Sequence, residues 1–151
     1  MDVATTCRRH VVTAAPTDTL PTLAQKMREY HVGCLVVVEE EAGVARPLGI
    51  VTDRDLVVLV LARELDSKTS SVTAADLMAQ PIVTVNASAS MLDALNLMHD
   101  AGVRRLPVVD DSGGLVGMLA LDDAVAALAG HLRLLAQVAG AEQRHEWIRR
   151  R

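Results

Sequence analysis

The chain has 151 residues, a net charge of −4 from 15 basic and 19 acidic side chains, and a half-hydrophobic composition with no Phe, one Tyr and one Trp. A chain of that length buries roughly two thirds of its unfolded surface, so a core forms without disulfide or metal staples, packed from Val, Leu, Ile, Ala and Met. Basic residues cluster only at Arg8-Arg9, Arg104-Arg105 and Arg149-Arg150-Arg151, which is no nucleic-acid footprint; the longest apolar run, residues 56–62, is too short for a bilayer, and without a signal-peptide pattern a cytoplasmic protein is expected.

In chain order, Thr5-Thr6-Cys7-Arg8-Arg9 is a polar start in which Cys7 is a surface thiol, or one made reactive by nearby positive charge. Residues 10–13 are a short β-branched strand. Thr17-Asp18-Thr19 offers cap chemistry to a helix on which Leu20, Leu23, Ala24 and Met27 fall at helical spacing. Residues 34–38 form a continuous apolar strand with Cys34 as a buried thiol, and the turn Glu41-Ala42-Gly43 joins it to strand 48–52 as a hairpin. The run 56–61 fits a buried strand or a helix and is assigned to helix because its counterpart, residues 124–129, is Ala-rich. Residues 66–72 are a polar linker and residues 73–78 begin a short helix.

The same order then recurs: strand 82–85, cap Ser88-Ala89-Ser90, a helix carrying Met91, Leu95 and Met98, strand 106–109, turn Asp111-Ser112-Gly113-Gly114, strand 115–120 and the Ala-rich helix. Residues 11–39 match residues 82–110 at a constant offset of 71, with identities at Val12/Val83, Thr13/Thr84, Met27/Met98, Val32/Val103, Leu35/Leu106, Val37/Val108 and Val38/Val109. Three extra residues after Glu39 change the offset to 68, which aligns Gly49/Gly117, Asp55/Asp123 and Val57/Val125. An α+β fold follows, with repeat one at 8–65, a linker and short helix at 66–78, repeat two at 79–130 and a tail at 131–151. Leu132, Leu135, Val138 and Ile148 predict tail helices, interrupted near Gly140, that pack on the body or on a second subunit. Helices that are apolar on nearly every side need a further partner, which points to self-association.

The segment Leu48-Gly49-Ile50-Val51-Thr52-Asp53-Arg54-Asp55-Leu56 resembles the signature of cystathionine-beta-synthase-type (CBS) domains, a strand Gly-x-apolar-Ser/Thr running into x-x-Asp at a helix start. Val103-Arg104-Arg105-Leu106-Pro107-Val108-Val109-Asp110 is similar to the family's second-strand entry, and the resemblance covers roughly residues 8 to 130. It implies two pseudo-symmetric β-α-β-β-α repeats packed sheet to sheet, nucleotide clefts between them, and commonly a disk-like homodimer.

The residues of the motif agree with a nucleotide cleft. A strand ending at Thr52 and a helix starting directly after it aim free N–H groups and the positive end of a helix dipole at one spot, which favours phosphate. The Thr52 hydroxyl can add a hydrogen bond, and the Asp55 carboxylate can accept both hydroxyls of a ribose. The same Thr-x-x-Asp spacing is also a helix cap. Carried over from the family, the main cleft comprises Thr52, Asp53, Arg54 and Asp55, walled by Ile82, Val83, Thr84 and Pro107, with Arg104 or Arg105 on the phosphates.

The opposite cleft, comprising Val12, Thr13, Cys34, Val36, Ala120 and Asp123, departs from the pattern. Ala120 lacks the hydroxyl, Asp122 sets a second negative charge beside Asp123, and Gly33-Cys34 stand where the main cleft has Arg104-Arg105. It is expected to hold an uncharged adenosyl group or to be empty.

The resemblance implies a non-catalytic regulatory module for AMP, ADP or ATP, with S-adenosylmethionine, NAD and cyclic dinucleotides also within the family's range, acting on a partner protein in trans. The alternatives are a ligand-free dimerisation or docking module, and a redox regulator acting through Cys7. An enzyme is not expected: His10, His31, His99, His131 and His145 have neither metal spacing nor a nucleophile partner, and the acid pairs fit helix starts. No obligatory cofactor or metal is expected.

Overall fold

Residues 2–62 and 71–149 are described by a computed structural model; residues 66–70 of the expected linker lie outside them. The elements run α1 (Val3–Thr6), β1 (Thr13–Ala14), α2 (Leu20–Tyr30), β2 (Cys34–Glu41), β3 (Val44–Thr52), α3 (Asp53–Ala62), α4 (Ala74–Leu77), β4 (Val85–Asn86), α5 (Met91–Ala101), β5 (Arg105–Val109), β6 (Leu115–Ala120) and α6 (Leu121–Arg149). They build two three-stranded sheets, β1-β2-β3 and β4-β5-β6, each with a parallel first pair and an antiparallel hairpin. The sheets meet along β3 and β6, where Arg46 also donates to the Ser112 carbonyl at 2.7 Å.

The repeat is carried into the irregularities. A bulge falls between Val37 and Val38 in one hairpin and between Val108 and Val109 in the other, at positions related by the offset of 71. The three extra residues of the first hairpin extend it beyond the expected strands to a two-residue turn, Ala42-Gly43, with φ of 52° and 80°. Ser90 and Asp93 cap α5 reciprocally, the Asp93 N–H donating to the serine hydroxyl at 3.1 Å and the hydroxyl to the carboxylate at 2.6 Å. At α2 the cap chemistry expected from Thr17-Asp18-Thr19 goes elsewhere: Thr19 makes no side-chain cap bond, and Asp18 binds Lys26 at 2.7 Å.

Two further expectations are corrected. Of the strands expected at 10–13 and 82–85, only Thr13 and Val85 join a sheet as strand residues; Ile82 and Val83 instead line a cavity and residues 10–12 a second pocket, although the Val12 carbonyl still accepts the Val36 N–H at 3.2 Å. The tail is not interrupted near Gly140. It continues α6 as one 29-residue helix on which Leu132, Leu134, Leu135 and Val138 are exposed and do not pack on the body.

Neither repeat closes its own core. The short helix α1, preceding repeat one, packs on repeat two: Val3 is fully buried among Val85, Met91, Leu106 and Leu119, and the N–H groups of Val3 and Ala4 donate to the carbonyls of Ala89 and Ala87 at 3.1 Å. The short helix α4, preceding repeat two, packs on repeat one: Ala74 is fully buried among Leu23, Leu35 and Val51, and its N–H donates to the Asp18 carbonyl at 2.8 Å. Burying a valine such as Val3 contributes roughly 1.5–3 kcal/mol, so the exchange is a real part of each core.

The signature glycines exist because of this exchange. A Cβ on Gly49 would lie 2.7 Å from the Cβ of Met78, just after α4, and a Cβ on Gly117 would lie 2.8 Å from the Cys7 sulfur, just after α1. Cys7 therefore fills the space above Gly117, half-buried. Gly49→Ala is expected to lower stability by about 1–3 kcal/mol through overpacking. Gly130→Ala, within α6 with nothing near the added methyl, is expected to raise it by up to about 1 kcal/mol. Thermal unfolding of the two variants, shifting in opposite directions by about 2–4 °C per kcal/mol, checks both.

Candidate functional site

The strand-to-helix corner at Thr52-Asp53 opens onto a cavity of about 290 Å³ between the repeats. Repeat one supplies Ile50, Thr52 and Asp55; the irregular entry to repeat two supplies Ala79, Pro81, Ile82 and Val83; the start of β5 supplies Val103, Arg104 and Arg105. The volume lies near the lower bound of small-ligand sites, roughly 300 Å³ upward, and the mainly apolar wall with a few convergent polar groups fits such a site.

Six of the residues expected in the main cleft are brought together there: Thr52, Asp55, Ile82, Val83, Arg104 and Arg105. The other four are not. Asp53 and Arg54 point to solvent from the first turn of α3, Thr84 lies outside the cavity, and Pro107 is fully buried in β5 opposite Met118. Pro107, carried over from the family resemblance, lies on a face of its sheet that is covered. Ile50, Ala79, Pro81 and Val103 complete the wall without having been expected. Ile50 was detectable as the apolar position of the Gly-x-apolar-Thr motif itself.

The helix start is not a set of free donors, contrary to the expectation from the motif. The Thr52 N–H and hydroxyl both donate to Asp55 Oδ2, at 2.8 and 2.7 Å, and the Asp55 N–H donates to the Thr52 hydroxyl at 3.2 Å. The Asp53 N–H goes to the Gly33 carbonyl at 3.1 Å and the Arg54 N–H to the Asp53 carboxylate at 2.8 Å. The Thr-x-x-Asp spacing is thus a working cap, and the unspent charge at the cavity belongs to the arginines. Arg104 and Arg105 also line a smaller cavity of about 130 Å³ with Ala120, Leu121 and Asp122, and Arg104 stands 3.5 Å from the Asp122 carboxylate.

The residues expected in the second cleft are not gathered into one cavity. Val12 and Thr13 line a pocket of about 260 Å³ with His10, Val11, Lys26 and Tyr30, while Ala120 faces the arginines. Val36, like Pro107 to which it corresponds, is fully buried and is no wall residue. Asp123 is bound by Arg8, whose Nε and Nη2 donate to Oδ1 at 3.0 and 2.8 Å; that hydrogen bond raises the guanidinium pKa further. Arg8 went unrecognised because the matched segments begin at Val11, although the offset of 71 extends back to it and sets it against Ala79.

The chain is thus a tandem two-repeat α+β module with a strand-to-helix corner facing a cleft between the repeats. A family model described as CBS domain matches residues 2–62 and 74–130. The chain belongs to the CBS domain family and carries two copies of the domain. It is 41% identical over 123 residues to an uncharacterised protein of Methanopyrus kandleri, covering 82% of this chain and 60% of that protein, so it spans less than two thirds of that relative. It is 38% identical over 114 residues to hypoxic response protein 1 of Mycobacterium tuberculosis, covering 76% of each chain. A solved structure of hypoxic response protein I with two coordinated zinc ions superposes with a TM-score of 0.70 at 32% identity, over 83% of this chain and 98% of the other. The structure of CBSX2 in complex with AMP, a protein of Arabidopsis thaliana, superposes with a TM-score of 0.68 at 30% identity, over 85% of this chain and 96% of that one. Among the described residues no helix is long and apolar enough to cross a membrane.

Cys34 gives a direct check on the interior between the clefts. Burial pushes its thiol pKa up, the Arg105 charge pulls it down less strongly, and Asp53 pushes it up again. A raised pKa leaves less thiolate at any given pH, and the thiolate is the nucleophile. Iodoacetamide at pH 8 is expected to alkylate Cys34 on the order of tenfold more slowly than an exposed cysteine in a short peptide, measured by mass spectrometry.

Proposed function

We propose that the chain is an adenosyl-nucleotide sensor that takes AMP, ADP or ATP in the Thr52/Asp55 cleft and transmits occupancy to an effector protein in trans, in the cytoplasm. The observation that carries this reading is the junction of three chemistries in one cavity: the Thr52/Asp55 cap, an apolar slot from Pro81 to Val83, and Arg104-Arg105. Asp55 commits only Oδ2 to its cap bonds, so Oδ1 is the oxygen for ribose hydroxyls. Pro81, Ile82, Val83 and Ile50 sandwich an adenine without an aromatic ring, and the arginines hold the phosphate by charge and by paired N–H donors. The AMP complex of the Arabidopsis relative supports the ligand class. A ligand acts as a signal here by preferring one arrangement of the repeats over another.

Isothermal titration with AMP, ADP and ATP tests the site. Asp55→Asn is expected to weaken binding by about 10-fold or more, the worth of a hydrogen bond to a charged group. Asp123→Ala is expected to leave affinity within about twofold, since it lies outside the main cavity. A ligand-free docking module would show no rise in melting temperature with any adenosyl compound.

We also propose a homodimer through α3 and α6. Val57 and Val58 on α3 and Val125 and Leu128 on α6 are 44–57% exposed, and Val57 and Val125 are equivalent in the two repeats. Two apolar helix faces on a 16.1 kDa chain suit a second copy of the same surface. Light scattering is expected to give twice the chain mass, falling to the monomer value in Val57→Lys/Val125→Lys with the AMP affinity kept; a wild-type monomer would refute the interface.

A further inference from the structure

Ala79 and Arg8 occupy equivalent places in the two halves. Ala79 bridges in backbone to Ile50, its N–H donating at 3.2 Å, and it lines the main cavity. Arg8 bridges in backbone to Met118, the counterpart of Ile50, with N–H···O distances of 2.9 Å in both directions. The scaffold is the same, and the side chains act oppositely. An alanine methyl leaves the Asp55 carboxylate to the cavity. The arginine crosses to Asp123, the counterpart of Asp55, and places two donors on Oδ1.

The state of Asp123 makes this contact a closure. Its side chain is 15% exposed while that of Arg8 is 74% exposed, so the guanidinium lies over the carboxylate with its outer side in water. The other oxygen, Oδ2, is buried and has no hydrogen-bond partner among the described residues. One oxygen is therefore taken and the second is out of reach, although a buried acceptor without a donor costs roughly 1–3 kcal/mol and gains from any hydroxyl that reaches it.

We infer that Arg8 is an internal competitor that shuts a latent second site at Asp123, so that the chain takes one adenosyl ligand and gains a second only when Arg8 is withdrawn. This rests on the nucleotide reading of the main cleft. The opened site would take a nucleoside in preference to a nucleotide: Ala120 offers no hydroxyl, Gly33 and Cys34 bring no cation from repeat one, and Arg104 and Arg105 are already shared between Asp122 and the main cleft.

The test is calorimetric stoichiometry with adenosine on the full chain. One equivalent is expected for the wild type, two for Arg8→Ala, and one again for Arg8→Ala/Asp123→Ala. Circular dichroism checks that each variant is folded, and Arg8→Met, which keeps an apolar stem and the backbone bridge but has no N–H donor in its side chain, is read in place of Arg8→Ala if the latter is not. A second equivalent in the wild type, or one equivalent in the folded Arg8 variant, overturns the latch and leaves the main-cleft reading intact. Binding of adenosine to no variant overturns the latch, while the main cleft is decided separately by the AMP titration, because the arginines hold a phosphate that adenosine lacks. One equivalent gained in Arg8→Ala over a wild type that binds no adenosine supports the latch.

Discussion

The crossed packing of the two short helices governs the geometry of everything else. Val3 closes the core of repeat two and Ala74 that of repeat one, so each half is completed by chain that precedes the other. The crossing brings Met78 onto Gly49 and Cys7 onto Gly117 closely enough that no side chain fits on either glycine. One residue beyond each crossing comes the cleft wall, Ala79 on one side and Arg8 on the other. The exchange therefore fixes which residue of one repeat meets the strand-to-helix corner of the other, and a change in the angle between repeats must move the walls of both clefts together.

The corner residues serve fold and site at once. Asp55 caps α3 through Oδ2, and a capping side chain contributes about 1 kcal/mol to its helix. A ribose using the same carboxylate would meet an acceptor already fixed in orientation, which lowers the ordering cost of binding. The N–H groups of residues 52–55 are spent within the protein, so in the proposed site a phosphate would rely on Arg104 and Arg105 instead of on the helix start. Those arginines also face Asp122 across a second small cavity, so a ligand charge held by them in the proposed site would be felt at the helix start of the other half.

The hairpins, the helices and the shift from an offset of 71 to one of 68 were legible because apolar period and turn chemistry are local, and a repeat doubles each signal. Strand 115–120 is found at its expected bounds, and 106–109 within one residue. The exchange was not legible. At the offset of 71 the pairs Asp2/Thr73, Val3/Ala74 and Cys7/Met78 share size and place but no identity, and four-residue helices carry no period to detect. Val36 and Pro107 lie at equivalent, fully buried places, so the family resemblance that put them in the clefts could not say whether a strand face here is a cleft wall or an interior. The uninterrupted α6 passes through Gly130 and Gly140 because each costs a helix only about 1 kcal/mol, too little to end one.

The difference between the halves shows in packing as well as in composition. A Cβ on Gly33 would lie 3.1 Å from the Asp53 carboxylate, and the Gly33 carbonyl accepts the Asp53 N–H at 3.1 Å. An arginine at 33, matching Arg104, would have to displace the exposed Asp53 side chain by a few tenths of an ångström. At the corresponding place in repeat two the residue after the strand is Leu121, whose N–H donates to the Arg104 carbonyl at 2.9 Å while Arg104 keeps its side chain. The acid at 53 thus crowds any side chain at 33, so a cation placed there would have to shift a residue in the first turn of the helix that builds the main cleft.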